Sequence, residues 1–251
     1  MSGITGPRPA AVILAAGRGK RMKSDLPKVL HKVGGRTMLD RVIETARKAG
    51  AGRIVVVVGH GRDQVVRTLP AGVEWVVQEE QLGTGHAARC AGAALAGHQG
   101  PVLVLSGDVP LLRHETVAAL ERERASAGAA CAVLTAEVNG EHAYGRIVRD
   151  PAGKVSKIVE HKDADPEERK IKEINTGTYS FAPGILFPAL ELLRADNAQG
   201  EYYLTDVVGI LIARGSKVVC VKTDSAEEAL GVNSAEELAR AEAALRARRC
   251  G

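Results

Sequence analysis

Short, fully apolar runs alternate with amphipathic segments along the first half of the chain. Such runs occur at Ala10–Leu14, Val55–Val58 and Val102–Leu105. Strands without a polar face are typical of a central sheet that is covered by helices on both sides. The intervening sequence adds a strand at 73–77 and helical spacing at 38–49, 85–96 and 114–127. This order of strands and helices predicts a right-handed, largely parallel αβα sandwich.

The pattern changes after Ala130. Four strand-like runs follow, separated by turn residues, and they lie at Val133–Val138, Gly145–Val148, Val155–Val159 and Thr178–Phe181. Short strands joined by tight turns predict a smaller, hairpin-rich antiparallel part. The charged segment between them, Asp163 to Glu173, indicates a solvated loop or a short helix.

The last residues are rich in Ala, Glu, Arg and Leu, which predicts a helix with Ser234 as its N-cap. We expect this helix to project from the body as an arm. The sequence contains no low-complexity linker before it. The predicted organisation is therefore one domain over residues 1–230, followed by a helical arm over residues 231–251.

Composition narrows the class of protein. The chain has 251 residues, 45% of them hydrophobic and 25% charged, which is ordinary for a globular protein. A net charge of +4 with 3% aromatic residues argues against nucleic acid as a partner. No apolar run reaches membrane-spanning length and no signal peptide is visible, so we expect a cytoplasmic protein without a membrane partner. The four cysteines are widely spaced, which indicates neither a disulfide framework nor a zinc site.

A loop with two glycines and five basic residues directly follows the first strand. It runs from Gly17 to Lys28 and contains Gly19 and Arg21. Glycines let backbone N–H groups approach an anion, and basic side chains neutralise it, so the loop resembles a polyphosphate cradle. It lacks the third glycine of a dinucleotide-binding fingerprint and the Gly-Lys-Ser/Thr of a Walker A loop. A simple basic surface turn is the equally weighted alternative.

Polar residues also follow two other predicted strands. Gln78 to His86 comes after the strand at 73–77, and Asp108 follows Val102–Leu105. Ligands collect at the carboxyl ends of parallel strands, so these segments belong at one edge of the sheet. One carboxylate beside bound phosphates is sufficient to anchor Mg²⁺, which makes Asp108 a candidate ligand. An isolated Gly-Asp more commonly forms a turn or a cap, and agreement with the basic loop favours the metal.

Nine motifs stand in a recognisable order: Leu14-Ala15-Ala16-Gly17-x-Gly19-x-Arg21-Met22, Pro27-Lys28-Val29-Leu30, Gln81–Ala87, Gly107–Leu111, Tyr144–Ile147, Val159–Ala164, Glu173–Gly177, Gln199–Asp206 and Gly231–Asn233. With them the chain resembles the bacterial GlmU family over nearly all of residues 10–240. The resemblance is to its N-terminal N-acetylglucosamine-1-phosphate uridylyltransferase domain. It implies a three-layer αβα, Rossmann-like (GT-A-like) nucleotidyltransferase fold. The central sheet would be mixed and mostly parallel, with the antiparallel part binding the sugar.

The resemblance also implies a reaction and its residues. UTP and N-acetylglucosamine 1-phosphate would give UDP-N-acetylglucosamine and pyrophosphate, with Arg21 and Lys28 as the catalytic cations and Mg²⁺ held by Asp108 and Asn233. Substrate contacts would come from Leu14, Ala15, Ala16, Gly17, Gln78, Gly83, Thr84, Gly107, Asp108, Gly145, Glu160, Asn175 and Asn233. Gln78 would identify uracil beside Gly83 and Thr84. The sugar would contact Gly145, Glu160 and Asn175.

Some residues in these motifs are not expected to take part in catalysis. His86 and His161 are expected to be structural hydrogen-bonding residues, and Ser106 departs from the tyrosine of some relatives. The resemblance implies that the acetyltransferase half lies outside this sequence, and we expect a monomer. The product would be a peptidoglycan and lipopolysaccharide precursor. Two alternatives stay open: a related enzyme for another nucleotide or sugar 1-phosphate, and an inactive nucleotide-sugar sensor.

Overall fold

The computed structural model describes residues 6–140 and 142–250. Its strands are β1 (Ala10–Ala15), β2 (Lys32–Val33), β3 (Arg36–Thr37), β4 (Arg53–Val58), β5 (Glu74–Val77), β6 (Val102–Ser106), β7 (Cys131–Glu137), β8 (Arg146–Arg149), β9 (Val155–Val159), β10 (Glu173–Phe181) and β11 (Val218–Lys222). Its α-helices are α1 (Met38–Lys48), α2 (Arg62–Val66), α3 (Thr84–Cys90), α4 (His114–Ser126), α5 (Leu186–Leu190), α6 (Asp206–Ala213), α7 (Ala226–Ala229) and α8 (Ala235–Cys250). Within these ranges no helix is both long enough and apolar enough to cross a membrane.

The main sheet confirms the expected α/β class. Its strand order is β11-β7-β10-β6-β1-β4-β5. Strands β4 and β6 flank β1 in parallel, and β5 extends this parallel group at one edge. Strand β10 runs antiparallel to both β6 and β7, so six of these seven strands point the same way. The carboxyl ends of β1, β4, β5 and β6 therefore share one edge of the sheet.

Alternate residues of β1 enter two separate cores, which is the signature of a three-layer sandwich. Val12 lies in an apolar cluster with residues of α3, α5 and α6. Ile13, its neighbour, lies in the opposite cluster with residues of α1 and α4. Both side chains are fully buried. The apolar run was therefore a sound indicator of a central strand, because neither face of β1 needs polar residues.

The antiparallel part is joined to the main sheet through β10. The hairpin of β8 and β9 is antiparallel, and β8 pairs with β10 where Ile174 faces Arg146. Strand β10 begins at Glu173, five residues before the predicted start at Thr178. Its pairing with β7 shifts register between Asn175 and Tyr179, around Gly177, whose φ is +77°. This irregularity interrupts the sequence pattern and explains why the strand looked shorter.

The C-terminal helix does not project as an arm. Ser234 caps it as expected, because its Oγ accepts a hydrogen bond from Glu237 N at 3.2 Å. However, α8 then packs on the body, where Ala241 is buried in a small core with Val33 and Met38. Its alanine and leucine side chains cover apolar residues that would otherwise be exposed to water. The boundary at residue 230 remains a prediction.

Several elements were not predicted. They are β11, the β2–β3 hairpin, and helices α2, α5, α6 and α7. Helix α6 has the sequence DVVGILIA, in which an unbroken run of non-polar residues follows Asp206, so no alternation of polar and apolar positions indicates a helix. The segment 163–173 contains a single 3-10 turn at Glu168–Lys170, in agreement with the expected loop or short helix.

Candidate active site

The three loops selected from the sequence leave the same edge of the sheet. The basic loop follows β1, Gln78 follows β5, and Gly107 and Asp108 follow β6. Hydrogen bonds tie these loops to the end of β1: Gln81 Nε2 donates to Ala16 O at 3.0 Å, and Gly107 N donates to Leu14 O at 2.9 Å. The edge therefore forms one continuous surface around residues 14–17.

Three side chains from distant parts of the chain meet in this surface. Lys28 Nζ lies 2.5 Å from Asp108 Oδ2 and 2.9 Å from Asn233 Oδ1. The side chains of Lys28 and Asp108 are only 14% and 18% exposed. Partial burial strengthens the ion pair relative to one in open solvent. A carboxylate oxygen and an amide oxygen thus point at a single cationic group.

The loop that carries Asn233 is held by backbone contacts. Val232 N donates to Asp108 O at 2.9 Å, and Asn233 N donates to Glu237 Oε2 at 2.5 Å. Gly231 lies beside the Asp108 carboxylate, since a Cβ placed on it would be in ordinary van der Waals contact with Asp108 Oδ2, at 3.4 Å. Glu237 therefore has a positioning role that the sequence reasoning missed, although the Ser234-x-x-Glu237 spacing of a capping box could have indicated it.

This donor set fits a hard divalent cation. Oxygen atoms of Asp108 and Asn233 already converge on the Lys28 ammonium, and Mg²⁺ prefers oxygen ligands, usually one or two from protein together with substrate phosphates. In the described part of the chain, no group of three or more His, Cys, Asp or Glu residues could hold a metal by itself. Substrate phosphates and water would complete the coordination of an ion held by Asp108 and Asn233.

In the basic loop, the Arg21 side chain is exposed to solvent. The turn Lys20–Met22 buries the Met22 side chain and leaves Arg21 exposed. Among the described residues, Arg21 has no hydrogen-bond or ion-pair partner. Gly19 has a φ of +59°, and a Cβ there would lie 2.6 Å from Lys28 Cβ. The loop consequently packs its glycine on Lys28 and keeps a guanidinium free for an anion.

Gln78 is buried beside the same edge, with only 4% of its surface exposed. Its Nε2 donates to Gly83 O at 3.0 Å and lies 3.1 Å from His86 Nδ1. Both amide hydrogens are thus used within the protein, and the Oε1 atom is left as the group for a ligand. His86 has the structural hydrogen-bonding role expected from the sequence, since it orients Gln78.

Gly83 and Thr84 pack tightly against the segment 201–204. Gly83 has a φ of +106°, and a Cβ there would meet Tyr202 O at 2.6 Å. Thr84 Oγ1 accepts a hydrogen bond from Leu204 N at 3.0 Å. The Thr84 hydroxyl therefore has a structural partner in addition to any ligand contact. Next to this region, a cavity of about 560 Å³ is lined by residues that include Arg18, His60, Arg62, Gln78 and Gln81.

The sugar-side residues from the sequence analysis also come together. Gly145 O accepts a hydrogen bond from Asn175 N at 2.9 Å, and a Cβ on Gly145 would lie 3.5 Å from Glu160 Oε2. Asn175 Oδ1 is already used by Gly177 N, at 3.1 Å. Asn175 therefore shapes the backbone in this part of the chain. Ser106, the departure from some relatives, lies against the Cα of Gly177 on the same side.

Glu160 is mostly buried in this part of the site. Burial raises the pKa of the Glu160 carboxyl, and the hydrogen bond from Thr205 Oγ1, at 3.0 Å, acts in the opposite direction. Nearby Asp206 and Asp163 raise the pKa further. Thr205 stands in the motif Gln199–Asp206, but the sequence analysis gave it no role. The carboxylate is costly to keep charged here, which is typical of a group that a ligand completes.

Tyr144 links the sugar side to the Asn233 loop. Its hydroxyl oxygen accepts a hydrogen bond from Gly231 N at 3.0 Å. Burial raises the pKa of Tyr144 to about 12, so the phenol stays protonated at neutral pH. Arg146 holds the same segment by donating to Tyr144 O, and its Nη2 lies 3.5 Å from His161 Nδ1. His161 is thus structural, as expected, whereas the bridging role of Tyr144 had no sequence signal.

Comparison with known proteins identifies the nucleotide chemistry. Residues 11–204 match the family described as the MobA-like NTP transferase domain. The chain is 51% identical over 239 residues to the bifunctional protein GlmU of Pelotomaculum thermopropionicum, covering 95% of this chain and 52% of that protein. It is 50% identical over 238 residues to the GlmU of Exiguobacterium sibiricum, covering 95% of this chain and 53% of that one. The chain thus spans about half the length of the curated relatives it matches.

A solved structure supports the fold. The crystal structure of a UDP-glucose pyrophosphorylase complexed with UDP-glucose superposes with a TM-score of 0.74. The superposition covers 96% of this chain and 99% of the other, at 19% identity. The likeness confirms the three-layer α/β architecture of the fold.

Proposed function

Because the chain belongs to the MobA-like NTP transferase family, we propose that it is the uridylyltransferase that joins UTP to N-acetylglucosamine 1-phosphate. The products are UDP-N-acetylglucosamine and pyrophosphate. Identity of about half to GlmU proteins over 95% of the chain supports this substrate pair. The observation that carries the proposal is the convergence of Lys28, Asp108 and Asn233 beside the glycine-containing loop.

The reaction is a displacement at the α-phosphorus of UTP. An oxygen of the sugar phosphate forms the new P–O bond, and the bond to the pyrophosphate leaving group breaks in line with it. The attacking phosphate is already ionised at neutral pH, so no general base is needed. Catalysis then consists of positioning and charge neutralisation.

The chain's own cations supply much of that neutralisation. Arg21 is exposed and without a described partner, and Lys28 lies at the carboxyl end of the sheet next to Gly19. Both place positive charge near the phosphates, where negative charge grows on the leaving group. Backbone groups of Leu14 to Gly17 surround the same region. Asp108 and Asn233 would hold Mg²⁺, which supplies additional charge neutralisation on the phosphate oxygens.

Base selection rests on a fixed amide. With both Nε2 hydrogens engaged, Gln78 offers Oε1 as an acceptor for the uracil N3–H. Cytosine has no N–H at that ring position, and a mismatched buried polar edge is strongly disfavoured. On the other side, Glu160 would accept hydroxyl protons of the sugar close to Gly145 and Asn175.

A substrate panel tests the proposal directly. Pyrophosphate release is measured with UTP, CTP or dTTP against N-acetylglucosamine 1-phosphate, glucose 1-phosphate or glucosamine 1-phosphate, each with and without Mg²⁺. We expect the highest kcat/KM for UTP with N-acetylglucosamine 1-phosphate, and dependence on Mg²⁺. Asp108→Asn, which keeps the shape but removes the charge, is the matched control and should be nearly inactive. Preference for another pair, or no turnover of any pair, contradicts the proposal.

The setting of the reaction follows from its substrates. We propose that the enzyme acts in the cytoplasm, where nucleoside triphosphates are found, and that its product serves peptidoglycan and lipopolysaccharide synthesis. We propose that this chain acts as a monomer and that residues 1–251 do not themselves catalyse acetyl transfer. Size-exclusion chromatography with light scattering checks the first point, and an assay with glucosamine 1-phosphate and acetyl-CoA checks the second.

A further inference from the structure

The candidate metal ligands are already bridged by a cation that belongs to the protein. The Lys28 ammonium lies within 2.5 Å of Asp108 Oδ2 and 2.9 Å of Asn233 Oδ1. These are the two oxygen atoms that the proposed function assigns to Mg²⁺. The ammonium thus occupies the position from which a divalent ion would bind both Asp108 Oδ2 and Asn233 Oδ1.

The lysine and a metal ion exclude each other at this point. Mg²⁺ binds oxygen ligands at about 2.1 Å, so it would occupy the space between the same two atoms. Two positive charges held within about 4 Å repel strongly at the reduced dielectric of a partly buried site. The Lys28 and Asp108 side chains are 14% and 18% exposed, so screening by solvent is incomplete. One of the two cations has to leave.

The flexible Lys28 side chain allows its ammonium to leave Asp108 and Asn233. The first carbons of the Lys28 side chain pack against the basic loop. A Cβ on Gly19 would lie only 2.6 Å from Lys28 Cβ. The four-carbon stem beyond it is flexible. Rotation about this stem would carry the ammonium away from Asp108 and Asn233 while its first carbons stay against Gly19 of the basic loop. Phosphate oxygens bound at that loop would receive it.

We propose that Lys28 is the resident cation of the metal site and is displaced by a divalent cation that arrives as its nucleoside triphosphate complex. This inference rests on the proposed function. The phosphates of the complex compensate the released ammonium, whereas a free metal ion offers it no partner. The substrate is accordingly the metal–triphosphate complex, and the empty enzyme binds free metal weakly. Removing the Lys28 charge should lower activity yet strengthen the binding of free metal, two effects of opposite sign.

Metal binding without nucleotide tests this directly. Mn²⁺, a paramagnetic substitute for Mg²⁺, is titrated into the purified chain while the free ion is measured by electron paramagnetic resonance. Lys28→Met should lower the Mn²⁺ dissociation constant by about fivefold or more, because the like charge at the ligands is gone. Lys28→Arg keeps the charge and should stay close to the wild type. Asp108→Asn in the Lys28→Met background should abolish the gain.

Arg21→Met is the matched control for general electrostatics. It removes the same charge from the same loop but does not touch Asp108 or Asn233, so its Mn²⁺ affinity should stay within about twofold of the wild type, since exposed charges are largely screened. Thermal unfolding verifies that each variant is folded, and Lys28→Gln repeats the test with a polar neutral side chain.

Three results would overturn the inference: no tighter binding in the neutral Lys28 variants, an equal gain in Arg21→Met, or a gain that survives Asp108→Asn. Because no nucleotide is used, these outcomes are independent of the substrate panel. Failure of that panel would refute the proposed function without changing the measured metal affinities.

Discussion

The base side and the phosphate side of the site differ in how far the protein commits its polar groups. Gln78 is 4% exposed, and its amide is fixed by Gly83 and His86. Arg21 lies exposed, without a hydrogen-bond partner among the described residues. In the proposed reaction, base recognition is therefore preorganised by the fold. On the phosphate side, Arg21 stays uncommitted until a ligand arrives, whereas Lys28 is already paired with Asp108 and Asn233.

The difference has a physical origin. An uncharged base edge is identified by hydrogen bonds of fixed direction, which a loosely held amide could not provide. A polyphosphate carries several charges, and attraction between charges varies slowly with distance, so a mobile cation can follow it. The two sides should consequently respond differently to mutation: loss of a phosphate-side residue should mainly affect rate, and loss of a base-side residue should also affect selectivity and stability.

The largest expected effect is at Asp108. Asp108→Ala should lower kcat by about a hundredfold or more, because a metal ligand contributes several kcal/mol of charge stabilisation. Far-ultraviolet circular dichroism should be unchanged, since the residue lies at a loop edge. Steady-state pyrophosphate release over a range of Mg²⁺ concentrations measures the loss. Near-normal turnover in this variant would remove Asp108 from the metal site.

Arg21→Ala should lower kcat with little effect on substrate binding or on stability. Because the negative charge that Arg21 neutralises grows towards the transition state, kcat should fall about ten- to a hundredfold with a smaller change in the KM for UTP. The free energy of unfolding should change by no more than about 0.5 kcal/mol, as for exposed residues in general. A rise in KM at constant kcat would instead make Arg21 a ground-state binding residue.

Gln78→Ala should change selectivity and stability together. The kcat/KM preference for UTP over CTP should fall by about tenfold, because one base-directed hydrogen bond is worth about 1–2 kcal/mol. Unfolding in urea should show a loss of about 1–3 kcal/mol, since Gly83 O and His86 Nδ1 lose their donor. Unchanged discrimination between the two nucleotides would argue that Gln78 only supports the loop.

Glu160→Gln should give the smallest effect and a distinctive pH dependence. Burial raises the pKa of Glu160 in the folded protein above its unfolded value, so its favourable contribution is complete below the unfolded pKa and is lost as pH rises through the folded pKa. At pH 7.5 the variant should therefore unfold a few degrees higher than the wild type, and near pH 4.5 the difference should shrink.

The same variant should bind the sugar phosphate more weakly, because an amide accepts hydroxyl protons less strongly than a carboxylate. Thermal unfolding at several pH values and the KM for N-acetylglucosamine 1-phosphate check both parts. A variant that is less stable than the wild type at pH 7.5 contradicts the stated sign.

Particular elements show which inferences a sequence supports. Strands β1 and β6 were predicted to within one residue, because both faces are buried and the apolar run ends where the strand does. Helix α1 agreed equally well, since its apolar period is regular and Thr37 Oγ1 caps Asp40 N at 3.1 Å. Helix α6 and strand β11 were missed, because a short apolar run does not state whether it is helix or strand.

The residues of the candidate site also differ in whether the sequence could locate them. The residues at strand ends, such as Gln78 and Asp108, could be located from topology alone, because parallel strands end at one edge. Asn233 entered only through family resemblance. Tyr144 and Thr205 stood in quoted motifs without a role, since their partners, Gly231 N and Glu160 Oε1, are remote in sequence.

The sequence by itself determined the layer architecture, the order of the strands and helices and the identity of the basic loop, because these depend on local periodicity and on residue type. Only the tertiary structure decided that α8 packs on the body and that both amide hydrogens of Gln78 are bonded within the protein. It also decided that the Lys28 ammonium bridges Asp108 and Asn233. Such contacts join residues up to 205 positions apart. Their geometry is set by the packing of whole layers, which no local pattern along the chain records.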